Sequence, residues 1–313
     1  MKVRLMLGCA LVGVLVSCAS LKEGRSMKDS EARLERVSYV SVDDGKERDA
    51  FVYVPAGYED TEDPWPLLLF LHGHGDGERG DGKEDLHYVL SYGPLYEAWI
   101  QKRDLPFIIV APQMPMWGRD EGPDAPPYIT GRSRDQIPRR LEEGVPPRIR
   151  PMEWDVPYTG AVPAEVLPPI EALPPGWDRV AEDMPVLLDL VAGRYRVDES
   201  RVYLSGVSMG GIGTWIIASR YPERFAAIAP VVGFGYPEMM EPLAEARMPI
   251  WCFSGGRDPV VPTSLFFPAF IRLEELGHRD YRFTTEQDMG HDVWVRVYAG
   301  EDIYQWLLSH RKR

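Results

Sequence analysis

The chain has 313 residues, 44% of them hydrophobic, enough for one large α/β domain or two small ones around a substantial core. Its formal net charge is −13, from 48 acidic against 35 basic side chains. That balance argues against nucleic acid or an anionic membrane surface as the main partner, and as ordinary acidic solubility it selects no substrate.

Lys2 and Arg4 precede an apolar run from Leu5 to Val16, which Leu15-Val-Ser-Cys18 closes with small residues. Basic, apolar, then small is the order of an export signal, and the apolar core is short for a permanent membrane span. Leu-Val-Ser-Cys also resembles a bacterial lipobox, which implies cleavage before Cys18 and diacylation of its thiol. Ser20, two places after the cysteine, resembles the sorting position of lipoproteins sent to an outer membrane. The expected division is a lipoprotein-type signal over 1–18, a tether over 19–36 and a folded domain over 37–313. Cys9 would leave with the signal and Cys18 would carry lipid, so only Cys252 remains. No internal disulfide or cysteine-based metal site is then expected, and Cys252 reads as a buried core residue.

Val37 to Val42 reads as a strand, Asp43-Asp-Gly45 as a turn, and Arg48 to Pro55 as the returning strand of a hairpin. Trp65 to Leu71 is continuously apolar, as a strand covered on both faces should be. Helical spacing over Glu84 to Gln101 is interrupted at Gly93-Pro94. Phe107 to Ala111 is the next buried strand. A helix over Asp178 to Tyr195, strands around Val202–Leu204, Ala226–Val232 and Pro249–Phe253, and a helix over Ser264 to Leu276 follow. A strand over Tyr281–Thr285 and a last helix over Val295–Ser309 complete the chain. Such alternation predicts a mostly parallel sheet with helices on both faces, entered through an antiparallel hairpin.

One segment, 114–177, breaks the alternation. It is dense in proline and leaves the sheet at the C-terminal end of a strand, where ligands bind in such sheets. Its aromatics (Trp117, Tyr128, Trp154, Tyr158, Trp177) are more apolar surface than a solvated linker should carry. It is expected to be an ordered cap or wall of a cleft, with Trp117 and Trp154, and Trp294 from a later loop, against substrate.

The chemistry centres on Gly206-Val-Ser-Met-Gly210 between the strand ending near Leu204 and an apolar helical pattern. Gly-x-Ser-x-Gly in that setting is a nucleophile elbow: a tight turn lifts the serine Oγ off the sheet edge, and the glycines let strand and helix approach. Ser208 is the candidate nucleophile. Downstream, Asp258 lies just past a strand in a glycine turn, positioned to orient a base, with Asp288 as the weaker alternative. His278 sits at a helix C-terminus, where solvent is expected, and His310 lies among basic residues at the chain end. His291, in a glycine-containing loop between a strand and the last helix, is the base by elimination and context. The oxyanion donors should be the N–H of Met209 and that of His74, or of Gly75, after the strand ending at His72-Gly73. His72-x-His74 could also suggest a metal, but no convincing third ligand accompanies it.

Leu71-His-Gly-His-Gly-Asp-Gly77, Val110-Ala-Pro-Gln113, the elbow, Tyr221-Pro-Glu-Arg-Phe225 and the Gly-Gly-Arg-Asp and Gly-His-Asp-Val-Trp pieces resemble the α/β-hydrolase superfamily. More narrowly they are similar to bacterial secreted predicted peptidases near the polyhydroxybutyrate depolymerases, feruloyl esterases and prolyl-oligopeptidase-like enzymes. That resemblance implies an α/β-hydrolase fold and an exported serine esterase with no metal or organic cofactor. Its partner would be a small-molecule or polysaccharide ester, with the membrane met only through the lipid anchor. Two alternatives stay open: a serine peptidase using the same residues, and a non-catalytic binding module at the cell surface.

Overall fold

A computed structural model describes residues 30–74, 83–118, 137–141, 144–149, 151–154, 157–162, 166–173 and 176–312. The signal and Cys18, with Gly75 and Tyr128, lie outside them. β1 (Arg33–Val40) and β2 (Glu47–Val54) form an antiparallel hairpin, with Val37 opposite Ala50. β2 pairs antiparallel with β4 (Ile108–Pro112). From there the sheet is parallel through β3 (Trp65–Leu71), β6 (Val197–Val207), β7 (Ala227–Val231), β8 (Ile250–Gly255) and β9 (Tyr281–Glu286). The spatial order is β1-β2-β4-β3-β6-β7-β8-β9-β5, with β5 (Met152–Glu153) antiparallel on the far edge.

Both faces of the central strands are buried, and their residues divide by the two-residue period of a strand. Leu67, Leu69, Leu71, Leu204, Ile250 and Cys252 belong to one core cluster. Leu68, Phe70, Tyr203, Trp251 and Phe253 belong to the other. The first core is completed by the helices Asp183–Arg194, Met209–Arg220, Met240–Glu245 and Phe267–Glu275. The second is completed by Trp294–Ala299 and Asp302–Leu308. Cys252 is buried, and burial holds its thiol well above the ordinary range.

Element limits differ from the sequence reading where side chains intervene. β1 begins at Arg33, inside the expected tether, because pairing continues to Val54 and Arg33 is bound by Glu35 (2.6 Å) and Glu59 (2.9 Å). Charges that read as tether are the charged face of an edge strand. The helix expected from Asp178 starts at Asp183, because the preceding residues are held in turns, Asp183 N–H donating to Val180 O and Met184 N–H to Ala181 O. The last helix is two. Arg103 donates to Tyr298 O (2.8 Å) and pairs with Glu301 (2.5 Å), satisfying a helix end that the sequence pattern ran through. Lys83–Leu90 is 3₁₀, and the break falls at Ser91-Tyr92, after which Gly93-Pro94 open a short helical turn running into a π-helix at Tyr96–Ile100.

The described parts of the long insertion are fastened to the body. Met152 and Glu153 add a strand to β9, and Trp154 Nε1 donates to Thr285 Oγ1 at 2.7 Å. Glu274, buried on the helix Phe267–Glu275, accepts from Tyr158 N–H (2.6 Å), Thr159 N–H (3.0 Å), Thr159 Oγ1 (3.0 Å) and Tyr281 Oη (3.2 Å). Burial pushes the Glu274 carboxyl up, but the hydrogen bonds from Thr159 and Tyr158 outweigh it and leave it below the usual range. A depressed carboxyl stabilises the fold above its unfolded value, and that support is lost as pH falls through the folded value. Glu274→Ala leaves two backbone N–H groups without their acceptor, a loss of about 2–4 kcal/mol. We expect a melting temperature several degrees lower and faster proteolytic cutting within 152–162; an unchanged cutting pattern would show that Glu274 does not hold the insertion.

Candidate active site

β6 delivers Ser208 at φ 56°, ψ −115°, and Met209 opens the following helix. That is a sparsely populated conformation for a residue with a Cβ, costing on the order of 1–3 kcal/mol. Ser208 N–H donates to Val231 O (2.9 Å), and Ile212 N–H to Ser208 O (3.0 Å), so sheet and helix both hold the turn. The close approach needs glycine: a Cβ on Gly206 would stand 2.3 Å from Gly210 O, and one on Gly210 would stand 2.1 Å from Leu71 O.

Three loops at the C-terminal ends of β6, β8 and β9 bring Ser208, Asp258 and His291 together. His291 Nε2 lies 2.9 Å from Ser208 Oγ and His291 Nδ1 lies 2.7 Å from Asp258 Oδ2. The carboxylate can only accept, so the neutral ring carries its proton on Nδ1 and offers Nε2 as acceptor to the serine hydroxyl. The Asp258 side chain is fully buried, and its Oδ1 accepts from Val260 N–H (2.8 Å) and Val261 N–H (2.9 Å). Asp258 is therefore locked by its own turn before it meets the ring.

The loop after β3 faces the same point. Gly73 N–H donates to Tyr92 Oη at 2.6 Å, which commits that donor; His74, next in the chain, lines the cleft. Buried His72 has both ring nitrogens engaged: Nε2 accepts from Met114 N–H (3.1 Å), so Nδ1 donates to Gly73 O (2.6 Å). It therefore braces the loop and is unavailable as the metal ligand its spacing suggested. Among the described residues no group of three His, Cys, Asp or Glu is arranged to hold a metal ion.

The His291 loop is clamped by Arg296. Its Nη1 donates to Glu286 (2.8 Å) and Asp288 (2.8 Å), its Nη2 to Asp288 (2.7 Å) and Pro147 O (2.8 Å), and its Nε to Pro146 O (3.0 Å). All five N–H donors are used. Arg296 holds the Asp288 carboxyl down at about 2. Asp288, the alternative orienting acid, thus serves the guanidinium and Asp258 serves His291. Arg148 from the insertion also reaches Glu286, at 2.6 Å.

Ser208 and His291 open into a cavity of about 960 Å³, within the range of small-molecule sites. His74, Met209 and Trp294 line it, as do Tyr92, Ile170, Leu173, Trp177, Ile212, Phe234 and Leu265. Trp154 and Trp117 do not. Trp154 packs on Phe267 and Phe283, and Trp117 lies under the Arg179 guanidinium at 5.1 Å. Tyr158 is buried as well. Trp154, Trp117 and Tyr158 anchor the insertion, and its wall in the cleft combines Pro168, Ile170 and Leu173 with Trp177. His278, expected in solvent, is buried against Tyr281, and desolvation holds its ring below the ordinary value. The sequence reading missed Tyr92 and the aliphatic wall. Neither carries a local signal, because both depend on which loops meet.

Residues 166–299 match the family described as "Putative esterase". A poly(3-hydroxyalkanoate) depolymerase C from Paucimonas lemoignei is 38% identical over 50 residues, 16% of this chain and 12% of that one. A bifunctional acetylxylan esterase/xylanase from Neocallimastix patriciarum is 36% identical over 78 residues, 24% of this chain and 11% of that one. The chain thus spans only a small part of either relative. A solved thermostable esterase superposes with a TM-score of 0.57 at 22% identity, covering 89% of this chain and 63% of that one, which shows a shared fold. The family match spans the elbow, the Asp258 turn and the His291 loop, and the fold shared with the solved esterase is the α/β-hydrolase fold.

Proposed function

We propose that the protein is a serine hydrolase that cleaves carboxylic esters through an acyl-enzyme. The observation that carries this reading is the unbroken relay Asp258–His291–Ser208, at 2.7 and 2.9 Å, on a strained elbow at the floor of a cleft. Ser208 Oγ attacks the ester carbonyl while His291 Nε2 takes its proton. The proton then passes to the departing alkoxide, and water repeats the sequence in reverse to free the acid. Asp258 holds the Nδ1 proton and stabilises the imidazolium. The developing oxyanion is met by the N–H groups of Met209, at the positive end of its helix, and His74. The similarity to an acetylxylan esterase and a polyester depolymerase supports esters of a polysaccharide or polymer as the substrate class. Residues 1–18 direct export, and lipid on Cys18 holds the enzyme at the bacterial envelope.

Ser208→Ala is expected to lower turnover of nitrophenyl esters by at least about 10⁴-fold. Asp258→Asn, which favours the wrong tautomer, should cost on the order of 10²–10⁴-fold. Full activity in Ser208→Ala would refute the nucleophile assignment. A chain that hydrolyses no ester but is labelled by a fluorophosphonate would be a peptidase, and one that does neither would be a binding module. Lipidation has its own test: cells expressing the full chain should incorporate labelled palmitate into it, and Cys18→Ala should abolish the label. Equal labelling of the variant would remove the anchor.

A further inference from the structure

On the ester-hydrolase reading, we propose that this site is built for an uncharged, apolar acyl group of about six carbons or more, held by the wall that the insertion supplies. The cleft straddles the sheet edge at Ser208. On one side Ile170, Leu173, Ile212, Ile216, Phe234 and Leu265 line it, and all of them belong to or pack on the first core. On the other side stand Tyr92 and Trp294, which pack on the second core.

The proton path tells the two lobes apart. His291 must hand its proton to the leaving oxygen, so the alcohol lies on the imidazole side. Trp294 meets that ring edge-on at 5.4 Å, and Tyr92 lies against Trp294 at 5.4 Å. The aromatic lobe is therefore the alcohol side, with faces suited to a sugar or aryl ring. The other substituent of the carbonyl points into the lobe on the first core, where aliphatic side chains stand beside Phe234 and Trp177.

Among the described lining residues that lobe presents no Lys or Arg to an acidic acyl group. Asp178, the one carboxylate among the lining residues, accepts from Gly176 N–H at 3.0 Å. Its outer wall is held in place: Tyr236 Oη donates to Pro168 O at 2.9 Å, Leu173 N–H donates to Ile170 O at 3.1 Å, and Ile170 and Leu173 pack on the core. An acetyl group would leave this lobe unfilled. Each methylene that enters it leaves water for an apolar wall, raising kcat/KM on the order of fourfold.

The test is a series of nitrophenyl esters from acetate to decanoate, with methyl ferulate beside them, on the full chain, together with fluorophosphonate labelling. We expect kcat/KM to rise at least about tenfold from acetate to hexanoate or octanoate. In Leu173→Trp, which fills the lobe, the optimum should move to shorter chains by two carbons or more. Preference for ferulate over octanoate would identify the apolar acyl group as an aryl one, and the reverse as an alkyl one. Labelling and acetate turnover with a flat or falling series would overturn this inference and leave the hydrolase reading standing. Absence of both labelling and turnover would overturn the hydrolase reading and this inference with it. If Leu173→Trp proves unstable in a thermal melt, the native series alone decides.

Discussion

The backbone of the elbow helix lies against the end of β3 at a separation no side chain would permit. A Cβ on Gly210 would sit 2.1 Å from Leu71 O and 2.6 Å from His72 O. This contact sets the distance between the start of that helix and the loop that follows Leu71. Both oxyanion donors proposed here, Met209 and His74, come from those two segments. The same approach puts Ser208 where the loops after β8 and β9 can reach it. Every later feature of the site presupposes this one steric allowance.

Around that point the molecule fixes orientation by saturating hydrogen-bonding groups. Asp258 spends one oxygen on its own turn and the other on His291. His72 spends both ring nitrogens bracing the loop after β3. Arg296 spends five donors on the segment that carries His291 and on the insertion at Pro146 and Pro147. Unsatisfied polar groups at such buried positions would be costly, so each completed set leaves a single arrangement. Through Arg296 and Arg148 the insertion and the His291 loop share one carboxylate, Glu286. The cleft wall and the His291 loop are parts of one connected framework.

The insertion shows how composition can be read correctly and placed wrongly. Among its described aromatics, Trp154 and Tyr158 are too apolar to be solvated, and they are packed away from solvent. They turn toward the body, where Trp154 covers Phe267 and Phe283 and Tyr158 stacks on Phe270. The cleft receives the less conspicuous Pro168, Ile170 and Leu173, with Trp177 as the one insertion aromatic among the described lining residues. Large aromatics bury the most surface and so serve as anchors.

Some of this is determined by the sequence alone, since its causes are local. Continuous apolar runs mark strands buried on both faces, and alternation with helical spacing marks a mostly parallel sheet. Gly-Val-Ser-Met-Gly between strand and helix marks the elbow, because only that residue pattern relieves its crowding. Ser208, His291 and Asp258 were legible for the same reason: each sits in a turn just past a strand, the position from which a side chain can stand above the sheet. Tertiary structure decided what depends on distant partners. It chose Asp258 over Asp288 by giving the latter to Arg296, buried His278, started β1 at Arg33 and split the last helix where Arg103 takes its carbonyls. It also sorted the aromatics into anchors and lining, because which surface a side chain meets is set by the packing of segments far apart in the chain.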